Sequence, residues 1–180
     1  MSEQAKALPA QHSAKSVSGR ISWRDYLELT KPRVVALMIL TSVIGMLLAA
    51  PGVPGWDILL FGNLGIALLA GAAAVVNHVV DQKIDTVMAR TRKRPVATGR
   101  IAPFDAILFA VMLAAAGMIV LIWQVNELTA WLTLASLVGY AGVYTLFLKR
   151  ATPQNITIGG LAGAMPPLLG WTAVTGQVEG

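Results

Sequence analysis

Five stretches of the chain contain no charged residue, and polar segments separate them. These stretches are 34–56, 58–80, 106–126, 128–148 and 151–178. Each is as long as the roughly 20 apolar residues that a membrane-spanning helix needs. The pattern therefore predicts five transmembrane helices, and the turn-forming segment "PGVPG" predicts that the first of them ends near Ala50.

The composition also indicates a membrane protein. Hydrophobic residues make up 56% and charged residues 13% of the sequence, whereas soluble domains carry roughly 25% charged residues. The mean hydropathy is +0.66. The predicted fold class is therefore an all-α integral membrane protein. No cysteine is present, which excludes disulfides and Cys-ligated metals.

The basic residues predict the orientation of the chain. All 14 Lys and Arg residues lie before the first predicted helix, between the second and third, or between the fourth and fifth. Because basic loops face the cytoplasm, the N terminus and the loop after the second helix are predicted to be cytoplasmic. The positive charge is thus a topology signal and does not indicate nucleic-acid binding. Residues 1–20 are polar and predict a disordered cytosolic tail, which the membrane domain follows over 21–180.

A polar helix face is predicted where the second apolar stretch ends. Asn77, Asp81 and Asp85 are spaced four residues apart, so they share one face if the helix continues past Val80. Two like charges at this spacing cost a few tenths of a kcal/mol, and carboxylates near a helix C-terminus oppose its dipole. Local stability disfavours this arrangement, so another interaction must compensate for it.

Magnesium is a candidate for that interaction, with the three polar side chains as catalytic and metal-binding residues. Mg²⁺ takes oxygen ligands and is held by one or two carboxylates together with substrate phosphates. Arg90, Lys93 and Arg94 follow in the loop and are candidate phosphate contacts. The alternative is that the two carboxylates are solvated or paired with Lys83, Arg90 or Lys149.

The spacing of Asn77, Asp81 and Asp85 resembles the Asn-x-x-x-Asp-x-x-x-Asp motif of the membrane-embedded aromatic prenyltransferases, the UbiA-type family. Within that family, the sequence is most similar to the branch that farnesylates haem. Three segments carry the likeness: "LTKPRVV", "DQKIDTVMARTRKRPVATGRI" and "YTLFLKRATPQNITIGGLAGAMPPLLGWTAVTG". The likeness extends over about residues 22–176.

The resemblance implies Mg²⁺-dependent transfer of a farnesyl group from farnesyl diphosphate to a vinyl group of haem B, which gives haem O. Asp81 and Asp85 would hold the magnesium-bound diphosphate, with Asn77 as an accessory ligand. The resemblance further implies a place in the lipid bilayer of a bacterial inner membrane and association with haem-modifying or oxidase-assembly proteins. A quinone precursor or a chlorin as acceptor is one alternative, and an inactive membrane fragment is another.

The family fold has about nine spanning helices and a second Asp-rich motif in its later half, and neither is found in these 180 residues. The chain is therefore expected to correspond to the N-terminal part of that fold, with the domain over 21–180 incomplete at its C-terminal side. A transporter is a further alternative, because ionisable residues inside a membrane also mark ion paths. Such a path predicts polar residues near the middle of the membrane, whereas the three polar residues cluster at one helix end.

Several other residues are candidates for supporting roles. The resemblance makes Tyr144 and Lys149 candidate diphosphate contacts; an interfacial aromatic with a snorkelling lysine is the alternative. Asn155 is a candidate pocket residue. For His78, a packed or solvated imidazole is favoured over a haem contact. The segment Lys31-Pro32-Arg33 is predicted to start the first helix, with a role near the substrate as the alternative.

Small residues in the last apolar stretch predict close helix packing. Gly159 and Gly163 are four residues apart, a spacing that lets two membrane helices approach.

Overall fold

The computed structural model describes residues 21–142 and 155–178, and for 155–162 it describes the backbone alone. Within these ranges the chain forms helices and no strand, which confirms the all-helical prediction. The predicted tail, 1–20, lies outside the described residues. The helices are α1 (Trp23–Leu29), α2 (Pro32–Ala49), α3 (Asn63–Asp85), α4 (Pro103–Gln124), α5 (Glu127–Val138) and α6 (Asn155–Thr175).

Three helical segments in the described part of the chain are long and apolar enough to cross a membrane. They are Pro32–Ala49, Ile58–Asp85 and Pro103–Gln124, and they coincide with the first three predicted spans. The first ends at Ala49, next to the residue at which the turn segment predicted its end. The predicted fourth and fifth spans both include residues outside the described ranges, so the total of five stays a prediction.

α3 is the central helix of the bundle. A π-helical turn, Ile58–Gly62, leads into it without a break, and the helix then runs to Asp85. α3 packs against α2 on one side and against α4 and α5 on the other. Its small residues Gly71, Ala72, Ala73 and Ala74 are all buried, because neighbouring helices come close to this segment.

Two glycines outside the predicted pair bring α2 and α6 together. A Cβ added to Gly45 would overlap the backbone carbonyl of Pro167, and a Cβ added to Gly170 would overlap that of Ser42. Contacts between two backbones leave no room for a side chain and cannot be relieved by a rotamer change. The packing of α2 on α6 therefore depends on both glycines.

The prediction that Gly163 makes a close helix contact stays a prediction. Among the described residues, nothing lies within 4 Å of a Cβ built on Gly163. The close approach falls about two turns later in α6, at Gly170, because α2 contacts that part of the helix. The side chain position at Gly159 lies outside what the structure describes.

The α2–α6 contact can be tested with one substitution at two positions of the same helix. We expect Gly170→Ala to destabilise the protein by about 1–3 kcal/mol, because the added methyl group must push two backbones apart. Gly163→Ala is the matched control and should be neutral or stabilising, because alanine favours helix and the position is open. Unfolding in detergent micelles measures both changes. Equal stability of the two variants would contradict the close contact.

Candidate functional site

The predicted polar face exists and is buried. Asn77, Asp81 and Asp85 lie along one side of α3, which continues past Val80 as that prediction required. Their exposed fractions are 5%, 5% and 4% respectively. The alternative in which the two carboxylates are solvated is therefore wrong. Two acidic groups this deeply buried need positive charge close by, because an isolated buried charge is strongly unfavourable.

Two cationic side chains reach this face from different parts of the chain. The guanidinium of Arg94 donates to Asp85 Oδ2 at 2.7 Å and forms an ion pair with it. The ammonium of Lys31 donates to Asn77 Oδ1 at 3.4 Å. The partner of Asp85 in the described structure is thus Arg94, rather than the Lys83 or Arg90 that the sequence alternative offered.

The loop between α3 and α4 folds back against the bundle and so places Arg94 next to Asp85. Val96 and Ile101 are buried in this loop, and they pack in one cluster with Leu29 of α1 and Val75 of α3. These two buried residues hold the loop over the end of α3. The other two basic candidates, Arg90 and Lys93, have exposed side chains on the same loop, so of the three only Arg94 has a described contact with the polar face.

Lys31 reaches Asn77 from a strained backbone position. It lies between α1 and α2 with φ 51° and ψ 62°, the left-handed region that non-glycine residues rarely adopt. Pro32, which follows, disfavours the ordinary helical conformation at this residue. Such strain occurs mainly where the surrounding structure requires a particular side-chain direction, often at functional sites. The sequence offered a place near the substrate only as an alternative for Lys31, and the contact with Asn77 supports that alternative.

An apolar cavity of about 420 Å³ lies between α2, α3, α5 and α6. Lys31 lines it at the end near Asn77, and Ala73 and Ala74, one turn before Asn77, form part of its wall. Ile66 and Leu169 lie farther along it, away from the carboxylates. The cavity has the size and apolar lining typical of small-molecule sites, and Lys31 links it to the buried face through its contact with Asn77.

A larger groove, of about 810 Å³, lies between α1, α2, α3 and α4. The linings of the two spaces include none of Asn77, Asp81 and Asp85, but only the smaller one is lined by Lys31, which donates to Asn77. The size of the larger groove alone does not make it the site. The smaller cavity is the better candidate because it combines an apolar wall with a cation from the polar face.

His78 is packed inside the bundle rather than solvated. It is 3% exposed, and neither ring nitrogen has a hydrogen-bond partner among the described residues. This agrees with the packed imidazole that the sequence favoured.

Three predicted site residues are not tested by the described structure. Tyr144 and Lys149 lie outside the described residues, and for Asn155 the structure describes the backbone at the start of α6 but not the side chain.

The oxygens on the polar face fit a hard divalent cation. Two carboxylates and one amide oxygen project from successive turns of α3, and carboxylate and carbonyl oxygens are the ligands that Mg²⁺ prefers. No cluster of three or more His, Cys, Asp and Glu side chains occurs in the part of the chain that the structure describes. A magnesium ion held here would therefore need further oxygens from its substrate and from water.

Fold and site together define an integral membrane protein whose buried oxygen ligands and cations adjoin an apolar cavity. Comparison with known families agrees, since residues 38–180 match the UbiA prenyltransferase family. The chain belongs to that family. The resemblance drawn from the Asn-x-x-x-Asp-x-x-x-Asp spacing is thereby confirmed.

Curated relatives are highly similar to the chain. A protoheme IX farnesyltransferase of Marinobacter nauticus is 88% identical over 175 residues, which cover 97% of this chain and 57% of the relative. One of Saccharophagus degradans is 72% identical over 158 residues, which cover 88% of this chain and 52% of the relative. The chain thus spans about half the length of the curated relatives it matches.

Solved structures show the same fold. A UbiA homologue from Archaeoglobus fulgidus, bound to GPP and Mg²⁺, superimposes with a TM-score of 0.66 at 18% identity. The match covers 85% of this chain and 54% of that one. The same homologue bound to DMAPP and Mg²⁺ gives a TM-score of 0.67 at 17% identity. At this identity the likeness establishes the helical arrangement of the chain.

The ion pair between Arg94 and Asp85 should stabilise the folded protein. Replacing Arg94 by Gln leaves a buried carboxylate without its charged partner, so we expect a loss of about 1.5–3 kcal/mol, the usual value of a hydrogen bond to a charged group. Arg92→Gln removes the same charge from an exposed position in the same loop and should change stability by less than about 0.5 kcal/mol. Unfolding in detergent micelles measures both. If Arg92→Gln lost as much stability as Arg94→Gln, the positive charge of the loop, and not the ion pair, would account for the loss.

Proposed function

We propose that this chain takes part in the Mg²⁺-dependent transfer of a farnesyl group from farnesyl diphosphate to a vinyl group of haem B, forming haem O. The observation that carries the proposal is the buried polar face of α3, which adjoins an apolar cavity and receives two cations from other segments. Its likeness to the protoheme IX farnesyltransferases supports the choice of farnesyl donor and haem acceptor.

The two ends of the donor match two environments in the site. A farnesyl chain is apolar and suits the cavity walled by α2, α3, α5 and α6. A diphosphate is strongly anionic and suits the end where Lys31 and Arg94 lie. Arg94 can present two parallel N–H donors to phosphate oxygens, and Lys31 adds a compact charge. Burying the amphiphilic donor in this orientation places its reacting C–O bond at the boundary between the two environments.

The proposed chemistry breaks the C–O bond between the farnesyl group and the diphosphate, which leaves with the bonding electron pair, and forms a C–C bond to the terminal carbon of the vinyl group. Water then adds to the cationic vinyl carbon next to the porphyrin ring and loses a proton, which gives the hydroxyethylfarnesyl side chain of haem O. Magnesium, when bound, would neutralise charge that develops on the leaving diphosphate. Asp81 and Asp85 would hold it, with Asn77 as an accessory ligand. Arg94 and Lys31 stabilise the same charge directly, and the apolar walls keep water away from the reactive farnesyl group.

The basic residues support an orientation for the protein in the membrane. The polar end of α3 and the loop that follows it contain Lys83, Arg90, Arg92, Lys93 and Arg94, as expected of a cytoplasmic face. We therefore place the N terminus, the carboxylates and the diphosphate on the cytoplasmic side of a bacterial inner membrane. In that orientation a soluble diphosphate can be delivered from the cytosol while its farnesyl tail enters the bilayer.

The function is tested by measuring haem O by mass spectrometry in membranes supplied with farnesyl diphosphate, haem B and Mg²⁺. The chain is assayed alone and together with the C-terminal half of the Marinobacter nauticus relative, because it spans about half of that protein. With the second half present we expect haem O, and Asp81→Ala or Asp85→Ala should lower its rate by about 100-fold or more. Asp105→Ala removes an exposed carboxylate at the start of α4 and serves as the control.

Three outcomes bear on the assignment. Haem O formation that Asp81→Ala leaves unchanged would remove the polar face from the mechanism. Product with a quinone precursor or a chlorin, but not with haem B, would place the chain in another branch of the family. No product from any acceptor, with the second half present, would favour the inactive membrane fragment.

A further inference from the structure

Arg100, near the end of the loop between α3 and α4, binds three separate partners. One terminal nitrogen of its guanidinium is paired with the Asp25 carboxylate of α1. The other donates to the backbone carbonyl of Lys93 at 3.1 Å, and Nε donates to Thr98 Oγ1 at 3.2 Å. The planar guanidinium is the side chain suited to this task, because it holds several donors in a fixed geometry.

Two of these partners lie on either side of the backbone of Arg94. Lys93 immediately precedes Arg94, and its carbonyl is held by Arg100. Thr98, the other partner, donates from its backbone N–H to the Arg94 carbonyl at 2.9 Å and from its hydroxyl at 3.1 Å. Arg100 therefore fixes the backbone directly before Arg94 and, through Thr98, directly after it.

The third partner, Asp25, is itself firmly held. Its second carboxylate oxygen accepts the backbone N–H of Ser22 at 2.9 Å, which completes a capping box at the start of α1. Asp25 is 5% exposed, and Leu29, one turn later, belongs to the buried cluster that joins α1 to α3. The contact between Asp25 and Arg100 thus ties the loop to a fixed point 75 residues away in sequence.

The loop needs such a tie because little regular structure supports it. Between Asp85 and Pro103 no helix or strand is formed, so side chains and short turns must hold its backbone. Ordering each residue of such a segment costs about 1–2 kcal/mol of conformational entropy. Arg94 keeps its contact with Asp85 only while the loop is ordered.

We propose that Asp25 and Arg100 form a clamp that positions Arg94 against the polar face, so that both are positioning residues for diphosphate binding. This inference rests on the proposed function, because it assumes that the polar face binds a diphosphate. Neither residue touches that face directly among the contacts described; each acts through the backbone on both sides of Arg94.

The first test measures hydrogen exchange of the loop, without any ligand. In Arg100→Gln and in Asp25→Asn, the amides of residues 91–99 should exchange at least about tenfold faster, while those of α4 stay unchanged. Arg24→Gln and Asp105→Asn remove the same charges from exposed positions and should leave the loop unchanged. Both clamp variants lose the contact between Asp25 and Arg100, and Arg100→Gln also loses the bonds to Lys93 and Thr98. The test stands if one of the two fails to fold.

The second test is a double-mutant cycle on the binding of farnesyl diphosphate with Mg²⁺ to the full chain in lipid nanodiscs. Arg100→Gln should weaken binding about tenfold in the wild-type chain and leave it unchanged in an Arg94→Gln chain, because the clamp acts through Arg94. A general loss of structure would instead weaken binding equally in both backgrounds.

Each outcome decides a separate point. Unchanged loop exchange in both clamp variants overturns the clamp. Faster exchange with unchanged binding, or with equal weakening in both backgrounds, overturns its role through Arg94. If the wild-type chain binds no farnesyl diphosphate even with the C-terminal half of the Marinobacter nauticus relative present, the proposed function fails and the role in binding fails with it, while hydrogen exchange still shows whether the clamp holds the loop.

Discussion

The burial of two carboxylates at the end of a membrane helix is the constraint on which the rest of this structure depends. Asp81 and Asp85 are almost fully covered by the protein, where an uncompensated charge would be very unfavourable. The fold compensates for this charge by placing basic side chains from two other segments against the polar face. Lys31 arrives from the turn between α1 and α2, and Arg94 arrives from the loop before α4. A site in which buried carboxylates and basic side chains lie close together is suited to binding a charged ligand.

The arrangement of the helices makes the two ends of the site differ in polarity. α3 is long enough to cross the membrane and to present its polar face at one end of the cavity. Glycines let α2 approach α6 and α3 approach α4, while the cavity between α2, α3, α5 and α6 leaves room for an apolar chain. One end of the space is therefore charged and the other apolar, which is the polarity of a prenyl diphosphate. The proposed function uses this division together with the carboxylates of Asp81 and Asp85.

Local sequence patterns predicted the features that depend on local rules. The four-residue spacing of Asn77, Asp81 and Asp85 was sufficient to place them on one helix face, and uncharged runs were sufficient to locate three spans. The partners of that face were harder to predict. Lys31 is 46 residues from Asn77 and Asp25 is 75 from Arg100, and no spacing rule links positions so far apart. Glycine spacing likewise indicated Gly159 and Gly163, whereas the close contact that the structure describes in α6 is at Gly170 and depends on where α2 crosses α6.

In the proposed function, the polar face of α3 holds a metal-bound prenyl diphosphate. The most direct test is a crystal structure of the chain with farnesyl diphosphate and Mn²⁺ in place of Mg²⁺, in which anomalous scattering locates the metal. We expect a metal peak bound by Asp81 and Asp85, with the diphosphate near Arg94 and the farnesyl chain in the cavity lined by Ile66 and Leu169. A bound donor whose metal and diphosphate lie elsewhere, such as in the groove between α1 and α4, would contradict it.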